Sequence, residues 1–513
     1  VKVSPRLGGA AIFIATLCVG LLALEFAFRA IDGYRLDQLP LTIRQGHELG
    51  PVQDSLPYAK EIRIDPSFNV DWFNSDPPDY DRTAKNHLPA DWVKAIANYQ
   101  PAPGERAFVK DELKFLYNRN WLIEACKTGA HSNVIEHYKR YPGFVYAFPS
   151  PDNSTNPPFR MAPSSWEVGS NYYNNFGFRG PDITPRKAAR VIRLAFLGAS
   201  TTANGWPYTY PEFVGHYLNL WAKAKNLDVR FEVINAGRGG TDSPEIANIM
   251  RYEVAPLHPD IVLYYEGAND LHADSIVKTA GVSPPPDNKV LQPNLHLTYL
   301  PLEQYSALAD RIYELLFRRG GSTEEPPKPP HTLTFDVTQK HVDLSREDLP
   351  FRLHGQITDI RNMASATTNY GGQFFMTSFV TLVHNGLRLD PERHRIILQG
   401  LNNEYWPLTY AEIREAVDFQ NGVYRELAEA DHHPFLDVDR YFPQNPDLFA
   451  DMVHFSTQSG FRLQAWIVAQ LLAPYIENAV KAGALPKPAY DPNPADIAWA
   501  TNPPIKFDLS CLP

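Results

Sequence analysis

The chain has 513 residues, of which 44% are hydrophobic and 46 are prolines, and a formal charge of -10. Such a composition describes a globular protein with long irregular connections and room for two or three domains, and excludes a disordered chain. No basic tract stands out, which excludes a nucleic-acid partner, because phosphate binding needs clustered Lys and Arg.

The first predicted element is a membrane anchor over 7–31. Leu7 to Leu24 are 18 uncharged, mostly apolar residues, and Phe26, Ala27 and Phe28 prolong the run. A bilayer core needs roughly 20 such residues in helix. A cleaved signal peptide would have a shorter apolar core and a small-x-small site, and none is evident. Glu25 and Arg29, four apart, share a helix face and can pair at the interface. Lys2 and Arg6 favour a cytoplasmic N-terminus, although Arg29 and Arg35 blur the bias. The expected location is therefore a single-pass inner-membrane protein with its large domain in the periplasm. The three cysteines, Cys18, Cys126 and Cys511, form no Cys-x-x-Cys pair, which speaks against structural zinc. In an oxidising compartment Cys126 and Cys511 are free either to pair or to remain thiols.

Residues 33–190 read as an irregular, aromatic and proline-rich module with short helical stretches at Asp91 to Tyr99 and Lys110 to Trp121. Its tryptophans, Trp72, Trp92, Trp121 and Trp166, suit aromatic packing better than a carbohydrate cleft. From Val191 a regular rhythm begins: strand Val191 to Leu197, helix Tyr208 to Ala224, strand Arg230 to Ile234, helix Ser243 to Glu253, strand Asp260 to Tyr265. An insertion over 271–352 interrupts it, with a helix expected at Tyr305 to Arg319 and a polar linker at Gly320 to Pro330. Helix Leu353 to Thr368, strand Gln373 to Phe379, helix Tyr410 to Ala430, strand Pro434 to Val438 and helix Ser459 to Tyr475 resume it. Residues 480–513 form a proline-rich tail. Alternating strands and helices with short links predict a parallel sheet with right-handed crossovers, covered by helices.

Four turns of this rhythm carry chemistry. Gly198-Ala199-Ser200 follows the first strand, Asn235 to Gly240 the second, and Gly267-Ala268-Asn269-Asp270 the third. Asp451-Met452-Val453-His454 precedes the last helix. In an open parallel sheet such turns gather on the rim where sites form. Ser200 is the candidate nucleophile and His454 the base it requires. Asp451 is placed to fix the imidazole tautomer and stabilise its protonated form. The N–H groups of Ser200 and Gly240 and the side-chain amide of Asn269 are the candidate oxyanion donors. Asp270 reads as a structural hydrogen-bonding acid, and His432 and His433 as loop histidines without a third metal ligand.

These segments resemble the blocks of the SGNH, or GDSL, hydrolase family. The resemblance covers about residues 175–478, including Asn175-Phe176-Gly177-Phe178-Arg179-Gly180, which looks like the lead-in of membrane-anchored bacterial members. It implies a flavodoxin-like three-layer αβα domain at 191–478 and ester or acyl-transfer chemistry without metal or cofactor. It carries the catalytic serine onto Ser200, the oxyanion residues onto Gly240 and Asn269, and the acid–base pair onto Asp451 and His454. One departure stands out: the family's Gly-Asp-Ser reads Gly198-Ala199-Ser200, so the turn lacks its carboxylate. An α/β-hydrolase would need glycine where Thr202 stands, and a dinucleotide site would need Gly-x-Gly-x-x-Gly after the second strand. The expected function is a periplasmic esterase, deacylase or acyltransferase working through an acyl-Ser200 intermediate on an acylated glycan or lipid. The alternative is a non-catalytic accessory subunit of a larger membrane complex, photosynthetic, respiratory or other, that uses the same fold and whose anchor packs against other subunits.

Overall fold

The computed structural model describes residues 5–31, 36, 55–83, 147–149, 159–161, 163–167, 171–203, 208–278, 306–309, 312, 325–390 and 394–501. Five parallel strands make the central sheet: β1 (Val191–Gly198), β2 (Arg230–Asn235), β3 (Ile261–Tyr265), β4 (Gln373–Thr377) and β5 (Phe435–Leu436). Their order across the sheet is β5-β4-β3-β1-β2, the flavodoxin-like arrangement. Register follows the apolar runs, with Leu194 beside Ile261, Val191 beside Arg230, Gln373 beside Ile261 and Met376 beside Phe435. β1 and β3 are buried along their whole length, which is why they read as unbroken apolar runs.

The covering helices are α2 (Tyr210–Ala224), α3 (Ser243–Ile249), α4 (Leu353–Asn369), α5 (Tyr410–Ala430) and α6 (Gln458–Lys481), all after α1 (Pro5–Ile31) in the chain. Capping boxes set three of their starts: Thr209 with Glu212, Asp242 with Glu245, and Thr409 with Glu412. The expected helix from Ser243 to Glu253 is α only to Ile249. It then widens into a π turn over Met250–Val254, which buries Glu253 against Arg238 at 2.7 Å. A helix not anticipated from sequence, Arg395–Asn403, lies between β4 and α5. The last helix is longer than expected and runs on to Lys481, through Pro474.

Two segments expected to be irregular are tied to this core. Residues 55–73 lie over α2 and α6, where Phe68 stacks on Trp221 and meets Trp72 and Trp466 edge-on at 6.0 and 5.5 Å. The tail residue Tyr490 bridges to Lys187, whose ammonium is buried against Asp260 at 2.6 Å. Asp260 also accepts the N–H groups of Arg193 and Lys487, closing the amino end of the sheet. Of the insertion, Val277–Lys278 pairs with Thr332–Leu333, and Phe335 packs on Phe419 of α5. Cys126, Cys511, Trp92, Trp121, both helical stretches over 91–121 and most of the Tyr305 to Arg319 helix lie outside the described residues.

α1 is one helix of 27 residues. Most of its described apolar side chains, among them Phe13, Val19, Leu22 and Phe26, are exposed, and Phe28 is half-buried. Glu25 pairs with Arg29 at 2.6 Å and also accepts hydrogen bonds from Ser306 and from the N–H groups of Ala307 and Leu308. Among the described residues, no helix is long and apolar enough to cross a membrane. The side chains of residues 5–12, 14 and 15 are not among those described.

Candidate active site

β1 ends at Gly198, and the next turn starts a short helix, Ser200–Ala203. Gly198 touches its surroundings so closely that a Cβ there would lie 2.4 Å from the Tyr265 carbonyl oxygen. A Cβ at Gly237 would lie 2.6 Å from the backbone nitrogen of Ala203, so the turn after β2 packs directly on the nucleophile helix. Asn235 locks the two together. Its amide donates to the Thr202 carbonyl at 3.1 Å and to Thr209 Oγ1 at 2.8 Å, and its oxygen accepts the Gly237 N–H.

Ser200 and His454 meet across the rim, with Ser200 Oγ 2.7 Å from His454 Nε2. His454 Nδ1 lies 2.7 Å from Asp451 Oδ2, and Asp451 Oδ1 accepts the backbone N–H groups of Val453 and His454. The imidazole is therefore held at both nitrogens, in the tautomer that leaves Nε2 free to accept the serine proton. The loop that presents it is fixed from below. Leu382 N–H donates to the Met452 carbonyl at 2.9 Å, and Phe455 packs against Phe442, Phe449 and Phe461.

The charges are arranged for proton transfer. Burial disfavours a charged His454, but the hydrogen bond and charge of Asp451, with the charges of Glu266 and Glu404, outweigh it and raise the imidazole pKa. Burial pushes Asp451 up, yet His454 and two backbone N–H groups bring it below the ordinary carboxylate value. The Glu404 carboxyl is raised by partial burial and by the nearby Asp451.

Gly240, in the left-handed region at φ 73°, turns the chain after β2. Asn269 donates one amide hydrogen to the Thr241 carbonyl at 2.7 Å, which aims the side chain and leaves its second hydrogen for another acceptor. Ser200, Gly240, Asn269, Asp451 and His454 are all partly accessible to solvent. A carbonyl carbon placed at Ser200 Oγ would find a nucleophile and a base held by its acid. Asp270 is buried, as a structural acid would be, but one of its oxygens has no partner. Three contributors were given no role by the sequence: Asn235, Glu266 and Glu404. Of these, only Asn235 lay in one of the four turns, at the head of the second. Among the described residues there is no cluster of His, Cys, Asp and Glu able to hold a metal ion.

Comparison with known proteins gives one family match: residues 196–459 fit the GDSL-like Lipase/Acylhydrolase family. A GDSL-like lipase from Bacteroides thetaiotaomicron is similar at 17% identity over 56% of this chain and 89% of that one, with a TM-score of 0.25. A lipase/acylhydrolase from Enterococcus faecalis is similar at 16% identity over 55% and 96%, with a TM-score of 0.28. An acetyl xylan esterase variant from Geobacillus stearothermophilus is similar at 16% identity over 56% and 97%, with a TM-score of 0.29. No curated protein matches.

Proposed function

The chain belongs to the GDSL-like lipase/acylhydrolase family and is a serine hydrolase, and from that premise we propose a membrane-anchored, periplasmic bacterial esterase or deacylase. The observation that carries the chemistry is the pair of 2.7 Å contacts that link Ser200 to His454 and His454 to Asp451.

Ser200 Oγ attacks the ester carbonyl as its proton passes to His454 Nε2, and Asp451 stabilises the imidazolium. The N–H groups of Ser200 and Gly240 and the free amide hydrogen of Asn269 receive the oxyanion, each such donor lowering the barrier by about 2.7–4 kcal/mol. The tetrahedral intermediate collapses as His454 returns its proton to the leaving alkoxide, which departs as the alcohol. Water then attacks the acyl-Ser200 ester with His454 as base, releasing the acid and restoring the serine. A sugar hydroxyl in place of water makes the same steps an acyl transfer. The compartment suggests acylated glycans or lipids of the cell envelope as substrates.

The anchor rests on the apolar run of 7–24 and on the exposed apolar side chains of α1, and its orientation on Lys2 and Arg6. The same exposed apolar surface suits contact with other transmembrane helices, which favours the accessory-subunit reading as a second possibility. The test is turnover of a short-chain aryl ester by the detergent-solubilised full chain, with fluorophosphonate labelling of Ser200. Turnover lost in Ser200→Ala is expected. Absence of both turnover and labelling in the unaltered protein, with co-purification of other chains at fixed stoichiometry, overturns the enzyme in favour of the subunit.

A further inference from the structure

The turn before Ser200 has lost its carboxylate to Ala199, yet a carboxylate stands beside it on the neighbouring strand. Gly198 and Tyr265 are register partners in the β1–β3 pair, so the next residues, Ala199 and Glu266, leave the sheet side by side. Glu266 is 2% exposed. Its Oε1 accepts the N–H groups of Ala268 at 2.8 Å and Asn269 at 3.0 Å. Burial raises its pKa, and the N–H groups of Asn269, Gly267, Ala268 and Ala199 oppose that rise. One carboxylate thus caps the turn that carries the oxyanion asparagine, and the strand register sets it beside the nucleophile turn. Its second oxygen, Oε2, is buried with no hydrogen-bond partner. A bare buried carboxylate oxygen costs stability, and a turn cap alone would be served as well by an amide.

Building on the hydrolase reading, we propose that Glu266 is a positioning residue that stands in for the missing carboxylate of the nucleophile turn. It holds the Ser200 and Asn269 turns together, and its fixed negative charge favours the imidazolium formed when Ser200 attacks. The groups that face His454 are Asp451, Glu266 and Glu404. Asp451 touches the ring, and Glu404 is more open to solvent than Glu266 and so more screened. Among these three, Glu266 is buried and acts on the imidazole without contacting it. Burial, followed by the Glu266 charge, raises the nearby Asp270 to about 7. The neighbouring tyrosines, Tyr210, Tyr264, Tyr265, Tyr405 and Tyr424, have raised pKa values and remain neutral.

The test is Glu266→Gln in the full chain. Glutamine keeps the accepting oxygen and places an NH2 where Oε2 has no partner, so shape survives and charge is lost. The His454 imidazole is followed by histidine 13C NMR, identified by difference from His454→Ala. Its midpoint is expected to fall by about half to one pH unit. Ester kcat is expected to fall about tenfold with KM within about twofold, because the charge acts only as the imidazolium forms. A His454 midpoint unchanged in folded Glu266→Gln overturns the proposal and leaves Glu266 a turn cap. If Glu266→Gln does not fold, the double variant with Ala199→Asp decides. Recovery of folding and of Ser200 labelling supports substitution of one carboxylate for the other, and failure to recover overturns it. Loss of the hydrolase reading itself would appear as an inert unaltered protein, and the NMR midpoint would still report the coupling of Glu266 to His454.

Discussion

Asp270 offers a quantitative check on the electrostatics beneath the rim. Burial, then the charges of Glu266 and Asp242, raise its pKa from the ordinary 3.8 to about 7, against the pull of Arg352 and the Ser243 N–H. In the folded state the carboxyl keeps its proton up to about pH 7, whereas the unfolded chain releases it near 3.8. Between those values the folded state binds more protons, so stability falls as pH rises, and the loss is complete above the folded pKa. At about 1.36 kcal/mol per pH unit the full loss is about 4 kcal/mol, of which about 2 kcal/mol falls between pH 5.5 and 8. Asp270→Asn retains the shape and has no titrating proton. It is expected to melt above the unaltered protein at pH 8, with a gap several degrees wider than at pH 5.5. Calorimetry of both proteins in one detergent at the two pH values measures it. A gap that does not widen with pH, or a variant less stable at pH 8, would refute the assignment of a buried proton to this acid.

Activity should follow the ionisation of His454. Because the imidazole accepts the Ser200 proton only when neutral, and its pKa is raised, kcat/KM should rise with pH through a midpoint above 6.5. Asp451→Asn should move that midpoint down and lower kcat by about 10³–10⁴, and a pH–rate profile of both proteins decides it. Ser200→Ala and His454→Ala should each remove nearly all turnover and the double variant little more, whereas additive losses would show that the pair does not act as a unit. Gly237→Ala forces a Cβ to within 2.6 Å of the Ala203 backbone nitrogen, so the nucleophile helix must move. A loss of about 100-fold in aryl-ester kcat is expected, and full activity would show that this contact does not position Ser200.

The order of the five strands and of the covering helices other than Arg395–Asn403, and the four turns that carry Ser200, Gly240, Asn269 and the Asp451–His454 pair, were legible along the chain. The reason is physical. Strands buried on both faces must be apolar throughout, as β1 and β3 are, and the turns that follow them need glycine where backbones touch. The capping boxes at Thr209, Asp242 and Thr409 were also written in the sequence, each as an S/T/D-x-x-E pattern, and would have sharpened the helix starts. What lay beyond reach depended on pairing between distant segments. The π turn after Ile249 answers to the buried Arg238–Glu253 pair, and the tail around Tyr490 is held by Lys187 and Asp260. Glu266 is the clearest case. Sixty-seven positions separate it from Ala199, and no local pattern marks it. Only the β1–β3 register brings its carboxylate to the turn that lacks one, because a strand's neighbour is chosen by the sheet and not by the chain.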